Sequence, residues 1–460
     1  MSAPIKYGVR AGGRALRSGV AEVVRSSRRD AGNELASLLS PHPKLGIPVP
    51  AYEGRSLPNV TSSVARALGQ EVSGDPPLLP PLDGDLDPFE GRRAEGPIVV
   101  LLVDGLGWTA LTEPVPSQED SVPSEWRARL RPITSVFPTT TTVALTSLST
   151  AEPPSRHGVV GHRMFLPSFG VIAELLYMSP IGVKQPDALV NSEWSPSMVS
   201  GVPSVFRRGV PAVALSRDRF EGTGFTRMIY DGAAFTGFST AADFAHLLAE
   251  VLGRAEPPKL VYAYWDELDV VQHLRGPRPE FTRFEVAQVH RILGAAARRL
   301  DPRTARRTTV VLTSDHGQVP TERKDNVEID AAPTILPHLL RPPTGDRRAG
   351  FFTARPGHLA ALSAALEGRL PPGHRVLSMP KAISAGLFGP PPFHPELDER
   401  LGDLLVLLPS PAGLTYRLPG TPPRARFLAG AHGGLEPAEL IVPLLAGSLS
   451  DLGRAAPPVS

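Results

Sequence analysis

Three acidic residues and three histidines of this 460-residue chain stand in short segments where a metal ion could bind. These six residues are Asp104, Asp269, His273, Asp315, His316 and His432. Asp269 and His273 are four positions apart, which would place both side chains on one face of a helix. Because the chain contains no cysteine, a metal ion would have to be bound by carboxylate oxygens and imidazole nitrogens. This set of donors is typical of zinc, with manganese as the second choice.

Each of these segments also has a simpler explanation. Asp104 could cap the helix that follows it, and His432 could be an ordinary loop residue. Asp269 and His273 could form an exposed surface pair, and Asp266 shares their predicted helix face as a rival ligand. Taken one at a time, the segments leave these alternatives open.

Four consecutive threonines, residues 139–142, follow Phe137-Pro138 and precede a helix-like run. A hydroxyl group at a helix N-terminus lies where backbone N–H groups and the helix dipole favour an anion. Helix capping would explain one threonine but not four. The segment therefore predicts a binding site for an anionic group.

Apolar runs lead into the acidic segments. The runs are 98–103 before Asp104, 260–265 before Asp266, and 309–314 before Asp315. Continuous apolar runs rich in β-branched residues are typical of strands buried on both faces. Helix-like stretches, among them 241–252 and 284–300, alternate with these runs. The pattern predicts an α/β fold with a mostly parallel sheet, helices on both faces, and ligands at the carboxyl ends of the strands.

Composition divides the chain into five predicted parts. These are a basic, flexible tail (1–50), a lead-in with a Pro-rich linker (51–97), a catalytic core (98–330), a smaller inserted α+β subdomain (331–425) and a return to the core (426–450). No stretch approaches the roughly 18 apolar residues of a membrane span, and the Arg-rich tail lacks the apolar core of a secretory signal. We therefore expect a cytoplasmic protein without a membrane span. The net charge of +2 is too small to indicate a nucleic-acid partner.

The order of the motifs resembles that of a known protein family. The motifs are Val103-Asp104-Gly105, Phe137-Pro138-Thr139-Thr140-Thr141, Arg156-His157-Gly158, Leu268-Asp269 with His273, Ser314-Asp315-His316-Gly317, and His432-Gly433. From about residue 95 to about residue 445, the chain is similar to the alkaline phosphatase superfamily. Within that superfamily it looks most like the nucleotide pyrophosphatase/phosphodiesterase branch.

The resemblance implies two zinc sites. One would consist of Asp104, Thr141, Asp315 and His316, and the other of Asp269, His273 and His432. Thr141 would also be the nucleophile, because it lies 16 residues before His157, as the family's threonine does. His157 and His162 are interpreted as structural residues.

The resemblance also implies an activity. It predicts a zinc-dependent hydrolase of phosphodiester or phosphoanhydride bonds that forms a covalent phosphothreonine. The expected substrate is a small phosphorylated molecule such as a nucleotide, and no stable nucleic-acid complex is expected. A phosphomonoesterase or phosphonate hydrolase of the same superfamily is the first alternative, and a degenerate, non-catalytic binding protein is the second. The oligomeric state is left open.

Overall fold

The computed structural model describes residues 32–70, 78–113, 122–209, 211–257, 259–418 and 427–454. Residues 1–31 of the basic tail predicted for residues 1–50 therefore lie outside the described residues. From residue 32 onward the same segment contributes Leu38 and Leu45 to the core, where 6% and 5% of their surfaces are exposed. The predicted lead-in contributes the helix Leu57–Ala67, which is almost entirely buried. The domain boundaries themselves stay a prediction.

A seven-stranded sheet forms the centre of the described part of the chain. From edge to edge its strands are Arg131–Thr134, Ile441–Ser448, Thr309–Thr313, Ile98–Val103, Leu260–Trp265, Ala212–Arg217 and Ala234–Phe238. Ile98–Val103 runs parallel to both of its neighbours, whereas Ile441–Ser448 runs antiparallel to its own. All six residues of Ile98–Val103 are buried, as expected for a central strand covered on both faces. The predicted α/β fold with a mostly parallel sheet is confirmed.

Helices pack in two groups around this sheet. Leu57–Ala67 packs on Thr141–Thr150, while Pro279–Arg299 packs on Ala241–Leu252 and Leu449–Leu452. Pro279–Arg299 buries Val286, Val289, Ile292 and Leu293, the helical spacing that the sequence shows. The other described α-helices are 32–38, Trp108–Thr112, Ser124–Arg127, Pro154–His157, Gly224–Ile229, Glu267–Arg275, Pro302–Arg307, Leu359–Arg369, Met379–Ser384, Leu397–Leu401 and Pro437–Leu440. Within the described ranges, no helix has the length and apolar character needed to cross a membrane.

A second, antiparallel sheet combines two distant parts of the chain. Its strands are, in order, Arg375–Ser378, Leu404–Leu407, Ala349–Phe352, Thr344–Gly345, Arg163–Leu166, Val171–Glu174 and Ser179–Pro180. The join is made where Gly345 pairs with Arg163. The segment predicted as an insertion therefore shares its sheet with residues 163–180. Two short pairs complete the strands: Val319–Pro320 with Gly430–Ala431, and Asn326–Glu328 with Gly413–Thr415.

Candidate metal centre

The seven residues predicted to form the site come together at the carboxyl ends of the central strands. Asp104 follows Ile98–Val103, and Asp315 and His316 follow Thr309–Thr313. The remaining four are held by helices and a short strand next to these ends: Thr141 begins Thr141–Thr150, Asp269 and His273 lie on Glu267–Arg275, and His432 follows Gly430–Ala431.

Two glycines allow these segments to approach one another. Gly105 has φ +77°, and a Cβ atom there would lie 3.0 Å from the Cα of Asp269. At Gly317, a Cβ atom would lie 2.0 Å from the carbonyl oxygen of Ala438. Any larger residue at either position would push the acidic turns away from their neighbours.

Thr141, Asp315 and Asp104 surround the imidazole of His316. The Nε2 atom of His316 lies 3.1 Å from Thr141 Oγ1 and 3.2 Å from Asp315 Oδ2. It lies 3.7 Å from Asp104 Oδ1. Asp104, Asp315 and His316 are buried, whereas Thr141 is partly exposed.

Asp269, His273 and His432 form the adjoining part of the cluster. The Nε2 atom of His273 lies 3.4 Å from Asp269 Oδ2 and 3.2 Å from the Nε2 atom of His432. The rings of His432 and His316 stack with their centroids 3.7 Å apart, which joins the two parts. By distance alone, His316 groups both with Asp104 and Asp315 and with Asp269 and His432. The division of the ligands between two zinc sites therefore stays a prediction.

All three histidines of the cluster are oriented by backbone carbonyl groups. The Nδ1 atoms of His273, His316 and His432 lie 2.9, 3.2 and 3.0 Å from the carbonyl oxygens of Gly430, Gly317 and Thr139. Because a carbonyl oxygen only accepts hydrogen bonds, each Nδ1 must donate. In the neutral ring, Nε2 is then left with a lone pair that faces the cluster, as a metal ligand requires.

Two carboxylate oxygens of the cluster have no hydrogen-bond partner in the described part of the chain. These buried atoms are Asp104 Oδ1 and Asp315 Oδ2. The other oxygens are occupied, because Tyr264 donates to Asp104 Oδ2 and the Gly105 N–H donates to Asp315 Oδ1 at 3.1 Å. Leaving buried anionic oxygens unpaired is costly, and a divalent cation would remove that cost. The donor set therefore fits a metal ion.

Burial shifts the pKa values of these groups in opposite directions. Burial raises the pKa of Asp104 well above its ordinary value, and the nearby Asp315 and Asp269 carboxylates raise it further. Burial lowers the pKa of His316 to about 4 and that of His432 to about 3. Both imidazoles are therefore neutral at pH 7, which is the form that binds metals.

Thr141 is the threonine of residues 139–142 whose hydroxyl faces the cluster of candidate metal ligands. The buried Thr139 hydroxyl donates to the carbonyl oxygen of Gly434 at 2.9 Å. Thr142 donates to the carbonyl oxygen of Gly161 at 3.1 Å, and the Thr140 hydroxyl bonds to Asp346. These three hydroxyl groups are thus bound to other parts of the protein.

Asp266, the rival ligand, is paired with arginines. Its Oδ1 atom accepts a hydrogen bond from Arg217 Nε at 2.7 Å, and Arg219 donates to its Oδ2 atom. Both Asp266 and Arg217 are buried. The structure thus gives Asp266 partners outside the cluster and leaves Asp269 inside it.

The two histidines interpreted as structural differ in their surroundings. His157 is buried, and its Nε2 atom donates to Ser147 Oγ at 2.8 Å because its Nδ1 atom accepts from the N–H of Val159. It thereby braces the helix that begins at Thr141. His162 instead lines the cavity that contains Thr141 and His432, where it faces Asp346.

Sequence reasoning missed four residues around the site. Tyr264 and Gln318 donate to the carboxylates of Asp104 and Asp269, while Asp346 and Arg347 line the cavity. Tyr264 and Gln318 could have been found, because each lies within five residues of a predicted ligand segment. Asp346 and Arg347 carried no such signal, because the second sheet alone brings them to the site.

Two neighbouring cavities meet at Thr141. The first, about 450 Å³, contains Asp269, His273 and His432 and is also lined by the charged residues Arg163, Asp346, Arg347 and Arg417. The second, about 390 Å³, reaches Asp104 and is lined by aromatic residues, among them Phe220, Phe225 and Tyr230. Thr141, Asp269, Leu176 and Tyr177 belong to both. The arrangement can hold a phosphorus centre at Thr141 with one substituent in each cavity.

The family model that matches residues 98–338 makes the chain a member of the alkaline phosphatase superfamily, as the motifs predicted. More narrowly, the chain belongs to the type I phosphodiesterase/nucleotide pyrophosphatase family, whose sequence pattern matches residues 98–338. No curated protein sequence matches the chain significantly.

Solved structures share the fold at low sequence identity. Murine ectonucleotide pyrophosphatase/phosphodiesterase 5 is 18% identical with a TM-score of 0.57, over 76% of this chain and 88% of that chain. An inactive variant of the same murine protein was solved in complex with AMP, at 17% identity, a TM-score of 0.57 and coverage of 77% and 88%. Phosphonoacetate hydrolase from Sinorhizobium meliloti 1021, in complex with phosphonoacetate, is 18% identical with a TM-score of 0.53, over 80% and 93%. Together with the family, this fold makes the chain a phosphoester hydrolase of the superfamily.

Proposed function

We propose that this protein is a zinc-dependent hydrolase of phosphodiester or phosphoanhydride bonds, with Thr141 as its nucleophile. The observation that carries the proposal is the cluster itself. Three carboxylates, three imidazole Nε2 atoms and one threonine hydroxyl form one connected cluster at the cavity. A solvated surface pair or a capping aspartate would not bring these groups together.

The residues can be assigned to two metal ions. Asp104, Asp315 and His316, together with Thr141, would hold one ion, and Asp269, His273 and His432 would hold the other. Zinc bound there would supply a Lewis acid that lowers the pKa of the Thr141 hydroxyl and offsets the charge of the phosphate. The mixed nitrogen and oxygen donors favour zinc, with manganese as the second choice, since magnesium prefers an all-oxygen shell.

The chain's own groups position the reacting atoms. After the proton of its hydroxyl passes to solvent, Thr141 Oγ1 attacks phosphorus, an O–P bond forms, and the bond to the leaving oxygen breaks, with the electron pair going to that oxygen, which takes a proton from solvent. Thr141 is the first residue of a ten-residue helix, so free N–H groups of the first turn can bind the phosphoryl oxygens. Water then attacks the phosphothreonine and restores the hydroxyl group.

A phosphonate hydrolase is the second candidate, because a phosphonoacetate hydrolase shares the fold. A phosphomonoesterase of the same superfamily would use the same cluster. A non-catalytic binding protein is disfavoured, because each predicted metal-ligand position carries a residue that can bind a metal ion.

The test combines metal analysis with a panel of substrates. We expect about two zinc ions per purified chain, as in two-metal sites, and faster hydrolysis of bis(4-nitrophenyl) phosphate than of 4-nitrophenyl phosphate or phosphonoacetate. Faster cleavage of the monoester or the phosphonate would favour the alternative instead. A chain without zinc and without turnover on any of the three would contradict an enzymatic function.

A further inference from the structure

Arginines line the first cavity, and they differ in their partners. Two of them form ion pairs. Arg163 Nη2 lies 2.7 Å from Glu174 Oε1, while Arg417 Nη2 lies 3.0 Å from Glu328 Oε2 and Arg417 Nε lies 3.2 Å from Asp330 Oδ2. Arg347 lines the same cavity but makes no ion pair or side-chain hydrogen bond within the ranges that the structure describes. Its guanidinium group is therefore the cation of this cavity that an incoming anion could pair with.

Asp346 does not neutralise Arg347 by direct contact. The Asp346 Oδ1 atom accepts the backbone N–H of Arg347 at 2.6 Å, and the carboxylate also bonds to the Thr140 hydroxyl and faces His162 and His432. Arg347 is partly buried, and burial lowers its pKa from the ordinary value, although a guanidinium stays charged at neutral pH. An unpaired, partly buried cation is unfavourable until an anion binds it.

Hydrogen bonds and a neighbouring ion pair hold the backbone of Arg347 in place before any ligand binds. The carbonyl oxygen of Arg347 accepts the N–H of Leu414 at 2.8 Å. The next residue, Arg348, is fully buried and bound to Glu436 at 2.7 Å and to the carbonyl oxygen of Ala412 at 2.7 Å. Because this backbone is already ordered, ligand binding has to order only the Arg347 side chain.

The two cavities on either side of Thr141 differ in chemistry. One is lined by the aromatic residues Phe220, Phe225 and Tyr230, and its arginine, Arg219, is paired with Asp266, whereas the other contains Arg347. A substrate with its phosphorus at Thr141 would extend one substituent into each cavity. An aromatic or apolar group matches the second cavity, and an anionic group matches the first.

We infer that Arg347 determines specificity by binding a second anionic group of the substrate, either a phosphoryl group or a carboxylate. The inference rests on the proposed function and narrows its substrates to those with an apolar or aromatic group on one side of the scissile phosphorus and an anion on the other. The planar guanidinium can bind either anion through two parallel hydrogen bonds.

The test uses matched substrates that share a 4-nitrophenyl group. They are 4-nitrophenyl ethyl phosphate and two counterparts in which a carboxymethyl or a phosphoryl group replaces the ethyl group. The zinc-loaded wild type should cleave at least one anionic substrate with a kcat/KM about tenfold or more above that of the ethyl ester, as expected for a charge-assisted contact. The anionic substrate whose kcat/KM exceeds that of the ethyl ester by the larger factor identifies the group that Arg347 binds.

The variants separate charge recognition from general damage. Arg347→Met should reduce this anion-to-ethyl selectivity by about tenfold or more, mainly through KM, and Arg347→Lys should restore part of it. Arg417→Met is the matched control, because it removes a cavity arginine that is already paired, and it should keep the wild-type selectivity. Zinc content should stay at the wild-type value in all three variants.

The outcomes for the inference and for the proposed function are distinct. If the wild type cleaves the ethyl ester as well as both anionic substrates, or if Arg347→Met keeps the selectivity, the role of Arg347 is wrong while the hydrolase stands. If the zinc-loaded wild type cleaves none of the three, the proposed function itself fails.

Discussion

At the scale of single residues, Thr141 differs from its neighbouring threonines in what its hydroxyl faces. Thr139 and Thr142 bond to backbone carbonyl groups, whereas Thr141 Oγ1 lies 3.1 Å from the Nε2 atom of His316. Partial exposure to both cavities leaves the same hydroxyl accessible to a substrate. The choice of Thr141 rests on this geometry as well as on its spacing from His157.

We predict that Thr141→Ala lowers kcat by about three or more powers of ten, a loss of roughly 4 kcal/mol in transition-state stabilisation. Thr141→Ser should retain measurable activity because it keeps a hydroxyl group. Thr142→Ala is the control and should cost about tenfold or less, because its hydroxyl only bonds to Gly161. Steady-state kinetics at full zinc loading measures these changes. A phosphopeptide trapped by acid quench and mapped to Thr139 or Thr142 would contradict the assignment.

At the scale of elements, two aspartates at the start of the helix Glu267–Arg275, Asp266 and Asp269, have different partners. Asp266 lies at the N-cap position and pairs with Arg217 and Arg219. Asp269, three residues later, points into the cluster near His273. One turn of helix thus divides a structural carboxylate from a candidate metal ligand.

The two aspartates should respond differently to substitution. Asp269→Ala should lose zinc and turnover while the chain stays folded. Asp266→Ala should keep about two zinc ions but lose about 2 kcal/mol of unfolding free energy, because it removes the buried partner of Arg217 Nε and leaves that guanidinium paired with Glu267 alone. Elemental analysis and urea unfolding measure the two effects. Loss of zinc in Asp266→Ala with full zinc in Asp269→Ala would move the ligand one turn earlier.

The loop that carries His432 is tied to the second sheet by a buried ion pair. Arg348 Nε lies 3.3 Å from Glu439 Oε1, and the same oxygen accepts the N–H of Gly434 at 2.9 Å. This contact links the strand Ala349–Phe352 to the turn that follows His432. Through this link, a distant part of the chain can support the candidate metal ligand His432.

We predict that Arg348→Met lowers the unfolding free energy by about 3 kcal/mol, because it leaves the buried Glu439 unpaired. It should also weaken zinc binding by about tenfold, because the His432 loop loses its support. The control is Arg369→Met at an exposed helix end, which should change stability by less than about 0.5 kcal/mol. Equal stability of Arg348→Met and the wild type in urea would show that the ion pair does not hold the loop.

At the scale of the whole molecule, the candidate metal centre joins the carboxyl ends of the central strands to the helices Thr141–Thr150 and Glu267–Arg275 and to the loop of His432. If zinc binds the folded chain but not the unfolded chain, it should stabilise the fold by about 2.7 kcal/mol when free zinc is at one hundred times the dissociation constant. We therefore predict that a chelator lowers Tm, that zinc restores it, and that magnesium at the same concentration does not. Scanning calorimetry measures this change. An unchanged Tm after verified removal of zinc would contradict a metal site that links these elements.

The amino-acid sequence by itself determined the central fold and most of the cluster. Buried strands show as local apolar runs. The residues that follow them, Asp104, Asp315 and His316, must lie at the carboxyl ends of the strands of a parallel sheet. The spacing of Asp269 and His273 determined their shared helix face for the same local reason.

Only the tertiary structure decided which groups surround that cluster. The approach of Asp346 and Arg347 depends on the pairing of Gly345 with Arg163, two residues far apart in the chain. No local periodicity encodes such a pairing, because it joins two strands that are far apart in the sequence. The same holds for Asp266, whose arginine partners come from another strand end and which local spacing alone could not separate from Asp269.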